Sequence, residues 1–164
     1  MSEDFYINSI LPHAPIIIKI CRAYTDTQED FEDYYQEVCL QIWKSRNNFE
    51  GSSEWSTWIY RLSLNVCLTL IKQKKRRVKT PMVPEFVQAE DESSEALERE
   101  AALEDLYKAI RQLSEIDRAV ILLYLEEKSY QEIASIIGSN ANNIGVRIKR
   151  IKERLRKLLN GKVN

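Results

Sequence analysis

Two stretches of this sequence combine residue types that ordinary helix surfaces do not. Trp55, Trp58 and Tyr60 precede Lys72, Lys74, Lys75, Arg76, Arg77 and Lys79 in one segment. Aromatic rings stack on exposed bases while cations hold a phosphate backbone, so this segment suits DNA strands held locally apart. Trp58 falls on an apolar stripe and serves either as a core aromatic or as a stacking ring, which leaves Trp55 the freer candidate. Near the C-terminus, Asn142, Asn143, Val146, Arg147, Lys149 and Arg150 share the outer face of a helix whose Ile144, Ile148 and Ile151 turn inward. A helix fits the DNA major groove, where Asn pairs with the edge of adenine and Arg with that of guanine. Lys152, Arg154, Arg156 and Lys157 follow and suit phosphates, which add affinity but little sequence choice.

Bond-making chemistry has no comparable constellation. Clustered-carboxylate metal sites, catalytic dyads and phosphate loops lack a convincing counterpart, so the expectation is a binding protein, not an enzyme, with no cofactor and no metal. Cys21, Cys39 and Cys67 lie on apolar stretches without paired spacing, and His13 is the single histidine. Each thiol is expected to be a small buried hydrophobe in a reducing compartment.

A formal net charge of −1 would by itself argue against a nucleic-acid partner. The average hides segregation: bases gather at 72–79 and 147–162, acids at 26–37 and 85–105, which implies more than one charged partner surface. The segment MSEDFYINSI carries two acids where a secretory signal would carry positive charge, and no apolar run approaches the roughly 20 residues of a membrane span. A cytoplasmic protein without membrane insertion is expected.

The elements that must position these residues read as helices throughout, in keeping with only four Gly and four Pro in 164 residues. A helix from Ile16 to about Tyr24 follows Pro15. Thr27 caps a longer one in which Phe31, Tyr34 or Tyr35, Val38 and Ile42 recur at helical spacing, until Asn47, Asn48, Gly51, Ser52 and Ser53 mark a turn. A third runs from Ser53 or Glu54 through Arg77, with a predicted inner stripe of Trp58, Leu62, Asn65 or Val66, and Thr69 or Leu70. Two prolines, then acids and serines, predict a flexible linker at 79–95 between domains 1–78 and 96–164. Its acids either mimic nucleic acid or simply keep a connector solvated.

Beyond it, a helix from about Ser94 to Leu113 would use Leu97, Ala101, Leu103 or Glu104, Leu106 and Ile110. Ser114 caps the next, with Ile116, Val120 and Leu123 inside; Ser129 caps a short one, with Glu132 in the capping-box position and Ile133, Ile136 and Ile137 buried. Gly138 ends it through positive φ, and Asn140 caps a last helix with Ile144, Ile148, Ile151, Leu155 and Leu158 inward. Short helix, glycine-containing turn and longer helix form a helix-turn-helix signature. Gly145 either weakens that last helix or permits a close backbone approach. The fold class is therefore all-α, two small helical domains, the C-terminal one a helix-turn-helix.

The text resembles the extracytoplasmic-function branch of the sigma-seventy family across nearly its whole length. FEDYYQEVCLQIWKS is similar to the family's first helix block, with Glu32, Asp33, Gln36, Glu37 and Trp43 on its acidic, Gln-Glu and aromatic positions. By that resemblance this surface binds core RNA polymerase through the clamp helices of the largest subunit. WSTWIYRLSLNVCLTLIKQKKRR resembles the minus-ten reader, which assigns Trp55, Trp58, Arg61, Asn65, Lys72, Lys75 and Arg76 to opened promoter DNA. LSEIDRAVILLYLEEKSYQEIASIIGSNANNIGVRIKRIKERLRKLL resembles the minus-thirty-five reader, which assigns Ser129, Tyr130, Asn142, Asn143, Arg147, Lys149 and Arg150 to duplex. Leu64, Thr69, Asn143 and Gly145 depart from the family's common residues. The resemblance implies promoter recognition for RNA polymerase, with promoter DNA, the core enzyme and an anti-sigma factor as partners. A stand-alone helix-turn-helix regulator and a degenerate sigma-like interaction module remain the alternatives.

Overall fold

The computed structural model describes residues 1–77 and 94–161, without the side chains of Arg76 and Arg77. The predicted linker, apart from its last two residues, lies outside the described residues. Those described are helical, with no strand among them, and the chain divides into two compact units, Met1–Val87 and Gln88–Asn164.

The first unit opens with α1 (Glu3–Phe5), a π-helical turn and a 3₁₀ turn, and then α2 (Ala14–Ala23). Pro15 occupies the first turn of α2 instead of preceding the helix, a position where the missing N–H has no helical partner to lose. Ile17, Ile20 and Cys21 face the core, and the Thr25 hydroxyl donates to the Cys21 carbonyl at 2.7 Å to close the helix end. Thr27 caps α3 (Gln28–Ser45), accepting from the Asp30 N–H at 3.1 Å as the sequence predicts. Tyr34, Val38, Cys39 and Ile42 are the buried face of α3.

The long helix α4 (Trp55–Arg77) differs from expectation in register. Ile59, Tyr60, Ser63, Leu64, Cys67 and Ile71 are buried, whereas Asn65 and Thr69 are exposed and Trp58, Leu62, Val66 and Leu70 half-buried. The run from Trp58 to Ile71 is apolar on nearly every side, so periodicity supports several stripes almost equally, and packing against α2 and α3 selects the one carrying Cys67. The three buried thiols meet in this core, each unoxidised. A hydrogen bond with Cys21, then burial, raises the Cys67 thiol, and burial pushes Cys39 up to about 11. Cys39 and Cys67 remain protonated, as packing groups should.

In the second unit α5 (Ser94–Arg111) buries Tyr107, Ala109 and Ile110. Leu97, Ala101 and Leu103, expected on its inner face, are exposed, because only the last turns of α5 are packed within the unit. Arg118 holds the next turn together: its Nη2 donates to the Arg111 carbonyl at 2.6 Å and its Nε to that of Leu113 at 3.0 Å. The carbonyls at the end of α5 thereby gain a charged donor. Ser114 caps α6 (Glu115–Leu125) through the Asp117 N–H. Val120 and Leu123 are buried as expected; Ile116 shares their face but stands in the first turn and stays 44% exposed. Two short turns then lead through α7 (Tyr130–Ile137) into α8 (Ala141–Asn160).

Candidate nucleic-acid interface

Local sequence sets the geometry of the α7–turn–α8 pair. The Ser129 hydroxyl accepts from the Glu132 N–H at 3.1 Å, which fixes where α7 begins. Gly138 ends it at φ +87°, a left-handed conformation that a Cβ would strain, and its N–H donates to the Ala134 carbonyl at 2.8 Å. Two residues later the Asn140 side chain accepts from the Asn143 N–H at 2.9 Å and starts α8. Ile144, Ile148, Ile151 and Leu155 are buried, and Ile133 and Ala134 of α7 are buried with them; Ile136 and Ile137, expected in that core, are only half-buried.

The predicted outer face of α8 forms, with one member reassigned. Asn142, Asn143, Val146, Lys149 and Arg150 are exposed, and Val146 is 55% so. Arg147 instead turns to the flank, where its Nη1 meets Asp117 Oδ1 at 2.6 Å. Both partners also border a polar cleft of about 360 Å³ with Gln112, Ser114, Arg150 and Arg154. On the opposite flank Gly145 permits a close approach, but of a ring and not of a backbone. A Cβ there would lie 3.3 Å from Cε2 of Tyr130, itself 42% exposed. Lys152, expected on phosphates, reaches the Tyr124 hydroxyl at 2.6 Å with its ammonium 4.3 Å from the ring centroid.

The basic helix of the first unit carries a different surface. Trp55 is not the freer aromatic: its indole N–H donates to the Ser9 carbonyl at 2.8 Å, and its ring stacks on Trp58 with centroids 4.8 Å apart. Phe49 meets both tryptophans edge-on, at 5.1 and 5.8 Å, and Phe5 meets Trp55 at 6.3 Å. Sequence reasoning had no signal for this cluster, since Phe5, Ser9 and Phe49 lie on three other elements. Arg61, Asn65, Lys72 and Lys75 are exposed along α4; the Arg76 side chain lies outside the described residues. Lys74 is engaged, pairing with Asp30 in the first turn of α3.

Glu32, Asp33 and Gln36 are exposed on α3, and Glu37 is half-buried, accepting from Gln41 at 2.9 Å. Trp43 lies apart from them, edge-on to Phe5 at 5.2 Å and covered by the Arg46 guanidinium 3.6 Å from its centroid. A groove of about 340 Å³ between α3 and α4 joins Glu37 and Gln41 to Asn65, Val66, Thr69, Leu70 and Gln73. The fold thus brings together Glu37, expected at the polymerase surface, and Asn65, expected at minus-ten DNA. The i, i+4 spacing of polar residues in both helices, 37 with 41 and 65 with 69, was the available signal.

Two helical units, one ending in a basic helix and the other in a helix-turn-helix, define a two-part DNA-binding class. Residues 10–77 match Sigma-70 region 2, and residues 103–155 match Sigma-70, region 4. The ECF RNA polymerase sigma factor SigE of Mycolicibacterium smegmatis is 28% identical over 152 residues, covering 90% of this chain and 58% of that protein. The ECF RNA polymerase sigma-E factor of Escherichia coli is 29% identical over 136 residues, covering 76% and 71%. Among solved structures, the sigma factor RpoE, co-crystallised with the anti-sigma factor NepR from Bartonella quintana, superimposes with a TM-score of 0.74 at 22% identity. That match covers 97% of this chain and 98% of the other, and carries the fold. The chain belongs to the sigma-70 family, in its ECF branch. It spans 58% of the length of the mycobacterial relative. No helix among the described residues is long and apolar enough to cross a membrane.

Proposed function

We propose that this chain is a promoter-recognition subunit that binds core RNA polymerase in the cytoplasm and directs initiation, leaving nucleotide transfer to the polymerase. The observation that carries the reading is the outer face of α8, where Asn142, Asn143, Lys149 and Arg150 stay exposed on a capped, well-packed helix. Those four read minus-thirty-five duplex, with Ser129 and Tyr130 at the entry of α7. Arg147 stands at the edge, its guanidinium oriented by Asp117. In the first unit, Glu32, Asp33, Gln36 and Glu37 form the polymerase surface with Trp43 at its margin. Trp55, Trp58, Arg61, Asn65, Lys72, Lys75 and Arg76 serve opened minus-ten DNA. Domains 1–78 and 96–164 divide this labour, and an anti-sigma protein restrains it, as family membership suggests.

Holding a base out of its stack offsets part of an unpairing cost of a few kcal/mol. In the described structure the Trp55–Trp58 pair already stacks on itself, so base capture requires the cluster to open on one side. Run-off transcription with purified core polymerase over a promoter library tests the whole reading. Specific transcripts are expected, and Arg150→Ala should weaken promoter use more than polymerase binding. DNA binding without initiation would instead define a stand-alone regulator; polymerase binding without initiation would define a sigma-like interaction module.

A further inference from the structure

One of the outward residues of α8 is apolar. At about 100° per residue, the buried set Ile144, Ile148, Ile151 and Leu155 fixes the inward direction, and Val146 points almost opposite to it. Asn142, Asn143, Lys149 and Arg150 surround it at helical i±3 and i±4 spacings, all exposed. Its chain neighbour Gly145 has no side chain to overhang it, and the Tyr130 ring lies low against the helix there. A β-branched residue contributes less to helix stability than Ala, Lys or Arg would, and one 55% exposed gains little from burial. Between Arg147 and Lys157 seven Lys and Arg stand against Glu153 alone, so the surface around Val146 complements a polyanion.

We propose that Val146 is a specificity-determining residue that reads the 5-methyl group of a thymine in the major groove. This rests on α8 being the duplex reader. Adenine, guanine and cytosine edges there offer donors and acceptors, which Asn and Arg match and Val cannot; thymine alone offers a methyl group. An apolar tip pressed on any other base edge would strip water from polar atoms without replacing their hydrogen bonds. The neighbouring Asn142, Asn143 and Arg150 then read the flanking pairs, and Val146 fixes one thymine among them.

The test removes one methyl group from the DNA. The preferred element is first selected from random duplexes by the full chain bound to core polymerase, and each thymine is then replaced singly by deoxyuridine. For the native chain, one replacement should weaken binding roughly four-fold, the equivalent of one buried methyl. Val146→Ala should bind the thymine and uracil duplexes equally, while its thermal unfolding midpoint does not fall below that of the native chain. Indifference to every uracil replacement, with selected duplex still preferred over scrambled duplex, overturns the methyl contact and leaves α8 as a reader. A penalty that persists in Val146→Ala also overturns it, by assigning the methyl to another side chain. Equal binding of selected and scrambled duplexes would remove the duplex-reading role of α8 and this contact together.

Discussion

The exposed faces of α4 and α8 draw on similar residue types, yet the fold treats them in opposite ways. On α8, Asn142, Asn143, Lys149 and Arg150 project away from the buried stripe, and their side chains remain exposed. On α4 the aromatic residues with most to offer a base are engaged with one another and with the N-terminal segment through Ser9 and Phe5. On the proposed reading, a duplex docks on the first surface without rearrangement, whereas the second must give up ring contacts before a base enters. The same distinction operates within α8, where Asp117 holds Arg147 while Arg150 stays exposed. Residue type and spacing thus identify a surface, but its capacity for a partner depends on what each side chain already holds.

The largest expected effect comes from breaking the aromatic cluster. Trp55→Ala removes the hydrogen bond to Ser9, the stack on Trp58 and two edge contacts, and should destabilise the first unit by about 3 kcal/mol. Urea unfolding followed by tryptophan emission measures this, since Trp43, Trp55 and Trp58, the only tryptophans, all belong to that unit. Asn142→Ala on α8 should change stability by less than about 0.5 kcal/mol. Equal effects of the two substitutions would erase the contrast between a closed and an open surface.

A second difference between the units is chemical: all three cysteines lie in the first. Cys39 rises from an ordinary value of 9.0 to about 11 through burial, and burial with the Tyr6 hydrogen bond likewise raises Tyr35. The folded state therefore keeps protons that the unfolded chain releases. Stability from this source is complete below about pH 9 and declines as pH climbs toward 11. The tryptophan-reported midpoint should fall over that window, and Cys39→Ala should flatten the fall. A midpoint independent of pH from 9 to 11 would show that the buried thiols do not titrate with unfolding.

The two long helices also explain which features could be read from sequence. In α8 isoleucines alternate with charged residues, so the buried stripe is unambiguous, and side-chain caps at Ser129 and Asn140 with Gly138 between them locate the turn. In α4 apolar residues surround the middle of the helix, and only the partners α2 and α3 decide that Cys67 faces inward while Val66 lines a groove. The contacts of Trp55 lie beyond the reach of sequence for a related reason. Its hydrogen-bond acceptor lies 46 residues away, on a segment that local periodicity does not connect to it. Arg147 departs from its expected direction by a smaller margin, since a helical wheel gives direction but not the carboxylate waiting on α6.

The packed register of α4 also places the Ser63 hydroxyl inside. Ser63 is fully buried, and its hydroxyl has no hydrogen-bond partner among the described residues. Ser63→Ala removes that desolvated hydroxyl and adds helix propensity, so the first unit should gain about 1 kcal/mol. An unchanged or lowered urea midpoint would mean that the hydroxyl is satisfied in solution, by water reaching the α4 core.

The smallest effect on stability distinguishes an oriented arginine from a reading one. Asp117 and Arg147 are both partly exposed, so solvent screening limits their pair to well under about 1 kcal/mol, and Ala at 117 keeps the N–H that Ser114 accepts. Asp117→Ala should therefore lower the unfolding midpoint of the second unit only slightly. Its larger consequence is for DNA: a released Arg147 can swing toward the groove and add a cation there. Overall affinity for duplex should rise with a steeper salt dependence, and the selected sequence should change if the guanidinium reaches a guanine edge. An identical selected sequence with higher affinity would confine the freed arginine to phosphates. Unaltered affinity and salt slope would mean that Arg147 faces duplex as fully with Asp117 as without it, and the flank and outer face of α8 would then be a single surface.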